Sequence, residues 1–345
     1  MISDRNMAVL RAIIEDFIAT NEPVASKSLV ERHNFGVSSA TIRNEMAYLE
    51  EEGYITAPHT SAGRIPTDKG YRAFVDQIIR AEEIAEIRKN LVELTKLFSK
   101  TLDQLTDLDE RLQTSAQLLA KATGEAAVVQ YPNLNSIKLS SVELIKVAEN
   151  RVLVLLITSA ERIAQHVVVM KNTLTEDQLV AIKQKINSEI AGQAVESLNS
   201  VLSSLVKKFE PAFQEDVAVI IQGIKLLIDA NKADKVAFAG TANLLKNEQQ
   251  FAGNLSSLLQ TFDQQSDIWQ VLNSWHLETE QAKAIIGSEN SVHELTSSSW
   301  LLSSYSNQGT EVAKIAVVGP TRMNYRKNLA AVLALAKLLS KEDED

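Results

Sequence analysis

Apolar residues recur at three-and-four spacing from the start of the chain. Met7, Leu10, Ile13, Ile14, Phe17 and Ile18 make one face of an amphipathic helix that Ser3 can cap. Asn21-Glu22-Pro23 breaks it. Ser26 then caps a short helix carrying Leu29 and Val30, and Asn34-Phe35-Gly36 turns the chain. Ser38 opens a third helix that ends at Gly53. After Gly53 the period changes. Tyr54-Ile55-Thr56 has strand propensity, residues 58–64 read as a hairpin loop, and Ile65 and Thr67 extend around Pro66 as in a short edge strand. From about Asp68, the residues Tyr71, Phe74, Val75, Ile78 and Ile79 return to helical spacing. Helix, helix–turn–helix, two-stranded hairpin, helix is the order of a winged helix–turn–helix.

A long helical pattern follows over about residues 81–122, with no glycine or proline until Gly124. Two readings fit it: two amphipathic helices packed on their own domain, or a linker helix that partly packs on a second chain. From Ala126 the pattern becomes β. Residues 136–147, 152–157 and 163–170 read as consecutive antiparallel strands. Residues 174–190 are helical, and 193–275 are mostly helical. Strand character returns at 283–286, 299–304 and 314–318, before a last helix over 321–340 and an acidic tail. Strands at 126–170 and 283–318 thus flank a helical block. This predicts an α+β chain in which one α+β domain carries an insertion.

Composition alone points away from nucleic acid. Lys plus Arg is 35 against 44 Asp plus Glu, a formal net charge of −9. The excess is uneven: residues 1–80 carry 9 basic and 11 acidic residues, and the remainder 26 and 33. With no cysteine, disulfides, thiolate catalysis and Cys-ligated metals are excluded. No run approaches the ~20 apolar residues that span a bilayer, and the first residues lack a signal-peptide core. The expectation is a cytoplasmic protein without a membrane partner. Dinucleotide, Walker and nucleophile-elbow motifs are absent, and the five histidines show no ligand spacing. The chain therefore reads as a non-enzyme with no cofactor and no metal.

The third helix carries the most specific chemistry. Ile42, Met46 and Leu49 point inward by spacing, and Ala40, Arg43, Asn44 and Ala47 form the opposite stripe. Small residues allow close approach to a major groove, while Arg and Asn can grip guanine and adenine bidentately. Ser38, Ser39 and Thr41 offer hydroxyls and amides to phosphate. The competing reading is an ordinary solvent-facing stripe. The hairpin adds Thr60, Ser61 and Arg64, and the next helix adds Lys69, Tyr71 and Arg72, which suit phosphate and the minor groove. Glu50-Glu51-Glu52 looks contrary to DNA binding, but it lies at the C-terminal end of the helix, away from the residues that meet base edges. Gly319-Pro320-Thr321-Arg322 reads as a strand-to-helix turn with Thr321 as cap, or as a place to hold an anion or a neighbouring domain.

Three strings go beyond a generic winged helix. They are residues 22–29 (EPVASKSL), 37–46 (VSSATIRNEM) and 58–72 (PHTSAGRIPTDKGYR). With 286–290 (IGSEN) and 318–325 (VGPTRMNY), they resemble the HrcA family of heat-inducible transcription repressors over nearly the whole chain. Ala25 and Ser28 stand where the family more often has Gly and Thr, and Ser288 where an acidic residue is common. The resemblance implies a winged helix over 1–80, a helical linker over 81–122, a GAF-like domain from 123–175 and 283–345, and an inserted dimerising domain over 176–282. It implies a homodimer that binds the CIRCE inverted repeat in double-stranded DNA and represses chaperone operons, with the GroEL chaperonin keeping it active. The alternative is a transcription factor controlled by a small molecule in the GAF-like domain. By their place on helix and hairpin, Ser38, Ser39, Thr41, Arg43, Asn44, Thr60, Ser61 and Arg64 would touch DNA, with Lys69 and Arg72 behind them.

Overall fold

In a computed structural model, residues 2–59, 63–79, 84–132, 138–159, 163–231, 235–251, 254–275, 277, 282–307 and 310–340 are described. Helix α1 (Asp4–Thr20) starts at its expected cap: Ser3 is extended and accepts the Asn6 amide at 3.2 Å. It buries Val9, Leu10, Ile13 and Ile14 and ends at Asn21, whose φ of 58° is tolerated by a short polar side chain. Helix α2 (Ser26–Arg32) begins at Ser26, the residue expected to cap it. Ala25 is its cap and makes no side-chain bond. The reason lies upstream: Val24 exchanges backbone hydrogen bonds of 2.9 and 2.8 Å with Arg64, which holds the chain extended up to the helix.

Helix α3 (Ser39–Glu51) is capped by Ser38, as the sequence predicts. Gly53 takes φ +75°, and β1 (Ile55–Thr56) pairs antiparallel with β2 (Ile65–Pro66). Gly63 is needed before β2, because a Cβ there would lie 2.6 Å from the Val24 backbone. Helix α4 (Asp68–Ile79) buries Tyr71, Phe74, Val75 and Ile78, while Ile79 stays partly exposed. The helical stretch that follows is two helices, α5 (Ile84–Leu102) and α6 (Leu108–Thr123). Asp107 opens the second by accepting the Glu110 amide at 2.8 Å, and Gly124 closes it at φ +79° before β3 (Ala126–Gln130).

The chain divides into two compact units, residues 131–235 and the rest. In the first of these, β4 (Leu139–Ala148), β5 (Arg151–Thr158) and β6 (Ile163–Val169) form an antiparallel meander. Helices α7 (Glu176–Ile190), α8 (Leu198–Leu205) and α9 (Gln214–Asn231) complete it. Val142, Leu144, Val152, Val154 and Val168 share a core with Ile182, Ile186, Ile220 and Ile224. The opposite sheet face is also apolar. Ile145, Leu153 and Val167 lie in one row across it, with Ile163 and Val169 nearby, and Ile163 is 64% exposed.

In the other unit a five-stranded antiparallel sheet runs in the order β7-β3-β10-β9-β8. Its remaining strands are β7 (Val236–Ala239), β8 (Ala282–Ile286), β9 (Ser298–Asn307) and β10 (Thr310–Pro320). Helices α10 (Thr241–Lys246), α11 (Leu255–Asp263) and α12 (Gln265–Ser274) contribute Leu244, Leu258, Phe262, Ile268 and Leu272 to a core with Val128, Trp300, Leu302, Ala316 and Val318. The final helix, α13 (Tyr325–Leu339), packs with α6 on the other side of the sheet, and α5 lies against α13. The pattern over residues 81–122 thus resolves into two helices, and both pack within this chain.

Three further expectations differ from this structure. The strands over 139–169 do not share a sheet with 282–320. Their inward residues are covered by the helices that follow them, so the meander closes on itself. The place beside β3 is taken by β7, in a stretch expected to be helical. Thr321 is not the cap of the last helix. Asn324 is, accepting the Lys327 amide at 3.1 Å, because residues 321–323 turn before the helix starts.

Candidate nucleic-acid interface

Helix α3 sorts its side chains as the sequence predicts. Ile42, Met46 and Leu49 are buried, while Ser39, Ala40, Arg43, Asn44 and Ala47 are exposed. Ser38 Oγ accepts the Thr41 amide at 3.2 Å and lies 3.1 Å from Thr41 Oγ1. The helix start therefore keeps two hydroxyls beside its first amides, where the dipole favours an anion. Arg5 of α1 reaches Glu45 of α3 at 3.6 Å, and Asp16 of α1 holds Arg32 at 3.1 Å and His33 at 3.0 Å at the end of α2.

At the hairpin, Arg64 Nη2 lies 2.7 Å from Glu50 Oε2. One acid of the Glu50-Glu51-Glu52 run is thus matched by the hairpin's own arginine. Thr60 and Ser61 lie outside the described residues. Lys69 is exposed, but its Nζ donates to the Glu52 carbonyl at 2.6 Å and sits 4.4 Å from the Tyr54 ring centroid. A cation there answers the negative end of α3.

Arg72 does not sit where a phosphate contact was expected. Its Nε donates to Glu289 Oε1 at 2.6 Å, Nη2 to the Ala284 carbonyl at 2.7 Å, and Nη1 to Asp76 at 3.3 Å. Burial works against its charge, and the bonds to Glu289 and Asp76 outweigh that effect, so the guanidinium is held charged more firmly than usual. Tyr71 is buried against Tyr325, with ring centroids 5.7 Å apart. The face left for a partner is α3 with Arg64. Spacing could not find Glu289, because it is 217 residues from Arg72.

Among the described residues no group of three or more His, Asp or Glu gathers to hold a metal, and no helix is long and apolar enough to cross a membrane. A cleft of about 610 Å³ beside α11 and α12 is lined by Gln260, Thr261, Asp267, Gln270 and Glu294.

Residues 109–329 match the family described as the HrcA protein C terminal domain. The heat-inducible transcription repressor HrcA of Leifsonia xyli subsp. xyli (strain CTCB07) is 38% identical over 341 residues, covering 99% of both chains. That of Clavibacter michiganensis subsp. michiganensis (strain NCPPB 382) is also 38% identical over 341 residues, covering 99% of this chain and 98% of the relative. A crystal structure described as that of a hypothetical protein at 2.2 Å resolution has the same fold, with a TM-score of 0.66 and 24% identity over 99% of this chain and 98% of that one.

Proposed function

Because the chain belongs to the HrcA family of heat-inducible transcription repressors, we propose that it represses transcription by laying α3 in the major groove of an operator. One observation carries this reading. Helix α3 buries one stripe completely and presents Ser39, Ala40, Arg43, Asn44 and Ala47 outward. Small residues let the backbone approach the bases, and Arg43 and Asn44 read guanine and adenine. Ser38 and Thr41 hold a phosphate at the helix start, and Arg64 does so from the hairpin. Residues 1–80 thereby act as a winged helix. Lys69 and Arg72 support α3 and α4 rather than touch DNA.

The operator is the CIRCE inverted repeat upstream of chaperone operons, and the repressor binds it as a homodimer. Two half-sites engaged together suit a block that is not basic overall, because each half-site alone gains little from non-specific charge. The apolar sheet face with Ile145, Leu153, Ile163, Val167 and Val169 supports pairing through the 131–235 unit. The GAF-like reading of the five-stranded sheet and control by the GroEL chaperonin both rest on family resemblance. A gel shift on a CIRCE duplex at stated salt, with and without GroEL, tests the reading. Shifted complex on the inverted repeat, and none on a scrambled duplex, is the expected result.

A further inference from the structure

The two C-terminal strings singled out in the sequence, residues 286–290 and 318–325, meet the N-terminal block from two sides. On the first side the turn after β8 receives α4. Arg72 bonds Glu289 with both Nε and Nη2 and also donates to the Ala284 carbonyl. Asp68 Oδ2 accepts the Ser288 amide at 2.8 Å. Gly287 makes room for that carboxylate: a Cβ there would collide with Asp68. Glu289 in turn accepts the Ile286 amide at 2.9 Å, so the turn is already braced to receive the arginine.

On the second side the segment before α13 receives α1. Arg322 Nη1 donates to the Ile18 carbonyl at 2.7 Å and to the Phe17 carbonyl at 3.3 Å. These are carbonyls at the C-terminal end of α1, where a cation is favoured. Arg326 pairs with Glu15 at 2.7 Å and lies 5.5 Å from the Phe74 ring centroid. Between the two sides Tyr71 packs on Tyr325, and both rings are buried. Charge-assisted bonds with a fork geometry fix direction as well as distance.

We propose that these two segments form a latch that sets the orientation of the α1–α4 block on the five-stranded body, and that operator affinity depends on that orientation. This rests on the operator-binding reading above. None of the latch residues lies on the exposed stripe of α3, so Arg72, Glu289, Arg322 and Arg326 are positioning residues. A bivalent complex gains affinity only when both reading heads are held at the spacing of the two half-sites. A loosened latch lowers that gain and leaves a single half-site untouched.

The test uses the full-length chain and two separate variants, Arg72→Gln on the first side and Arg326→Gln on the second. Binding is measured on a full inverted repeat and on a duplex with one half-site. The chain has no cysteine, so Glu51→Cys and Lys121→Cys, one on α3 and one on α6, accept a pair of spin labels with no background. Labelled protein is diluted with unlabelled protein, and the label-to-label distance distribution is recorded. The expected result is a loss of about tenfold or more on the full repeat, half-site affinity within about twofold, and a broadened distance distribution. The latch is overturned if the distribution stays as narrow as in the parent, or if full-site and half-site affinities fall together. A parent chain that binds neither duplex overturns the operator reading instead, and the distance measurement still decides whether the latch holds the block.

Discussion

Arg64 of the hairpin and Glu50 near the end of α3 form an ion pair, Nη2 to Oε2 at 2.7 Å. The pair joins α3 to the hairpin, the two parts of the proposed reading face, and offsets one acid of the Glu50-Glu51-Glu52 run. Removing the acid removes both a competitor for Arg64 and a negative charge near DNA. Glu50→Gln is therefore expected to raise operator affinity several-fold and to steepen the salt dependence by about one unit of slope. Arg64→Ala is expected to weaken binding to all sequences alike and to make the slope shallower by about one. A salt titration of both variants checks the pair. Unchanged slopes in both would remove Arg64 from the interface.

Arg43 is exposed on the outward stripe of α3. From its proposed role in reading guanine, replacing Arg43 by alanine is expected to cost ~1–3 kcal/mol on the operator and to relax one base position. Selection of bound sequences from a library randomised across one half-site measures this directly. A uniform loss with the base preference intact would assign Arg43 to phosphate instead.

Much of this face follows from the sequence. The Ser38 cap and the buried Ile42, Met46 and Leu49 follow from helical spacing, since 3.6 residues per turn divides α3 into two stripes. Arg72 was not legible. Its charge suggested phosphate, but its partners Glu289 and Ala284 come from the far end of the chain. The partition of strands was hidden for a related reason. Period-two alternation at 139–169 fixes which residues turn inward, but not which sheet they join. Strand β7 is four residues, Val236 to Ala239, too short to show a period beside leucine-rich helices.

Glu125, between α6 and β3, is a buried carboxyl without a basic residue in direct contact among the described pairs. Burial pushes it up to about 8, against the pull of Arg322 and Lys327. Its folded-state value lies above the ordinary carboxylate value of 4.5. The proton it holds in the folded state therefore adds stability that is complete below the ordinary value. That stability is lost as pH rises toward 8, at up to ~1.4 kcal/mol per pH unit. Glu125→Gln keeps the shape and removes the proton. Urea midpoints from pH 5.5 to 7.5 should fall more steeply for the parent than for the variant. Parallel profiles would place the Glu125 side chain in water.

The apolar row of Ile145, Leu153 and Val167, exposed at Ile145 and Val167, is where the proposed dimer would pair. Val167→Asp puts a charge at the centre of an apolar contact and leaves the buried side of the sheet intact. A shift from dimer to monomer in sedimentation is expected, with monomer stability changed by less than about 0.5 kcal/mol. A dimer that persists would move the contact to another surface.

One titration tests whether a chain with net charge −9 reads DNA through a few placed side chains. Fluorescence anisotropy at fixed salt compares a CIRCE duplex with a scrambled duplex of equal length and composition, for the parent and for Arg43→Ala. Tight binding to CIRCE by the parent, little binding to the scrambled duplex, and a smaller gap between the two for Arg43→Ala are expected. Equal affinity of the parent for both duplexes would contradict this reading.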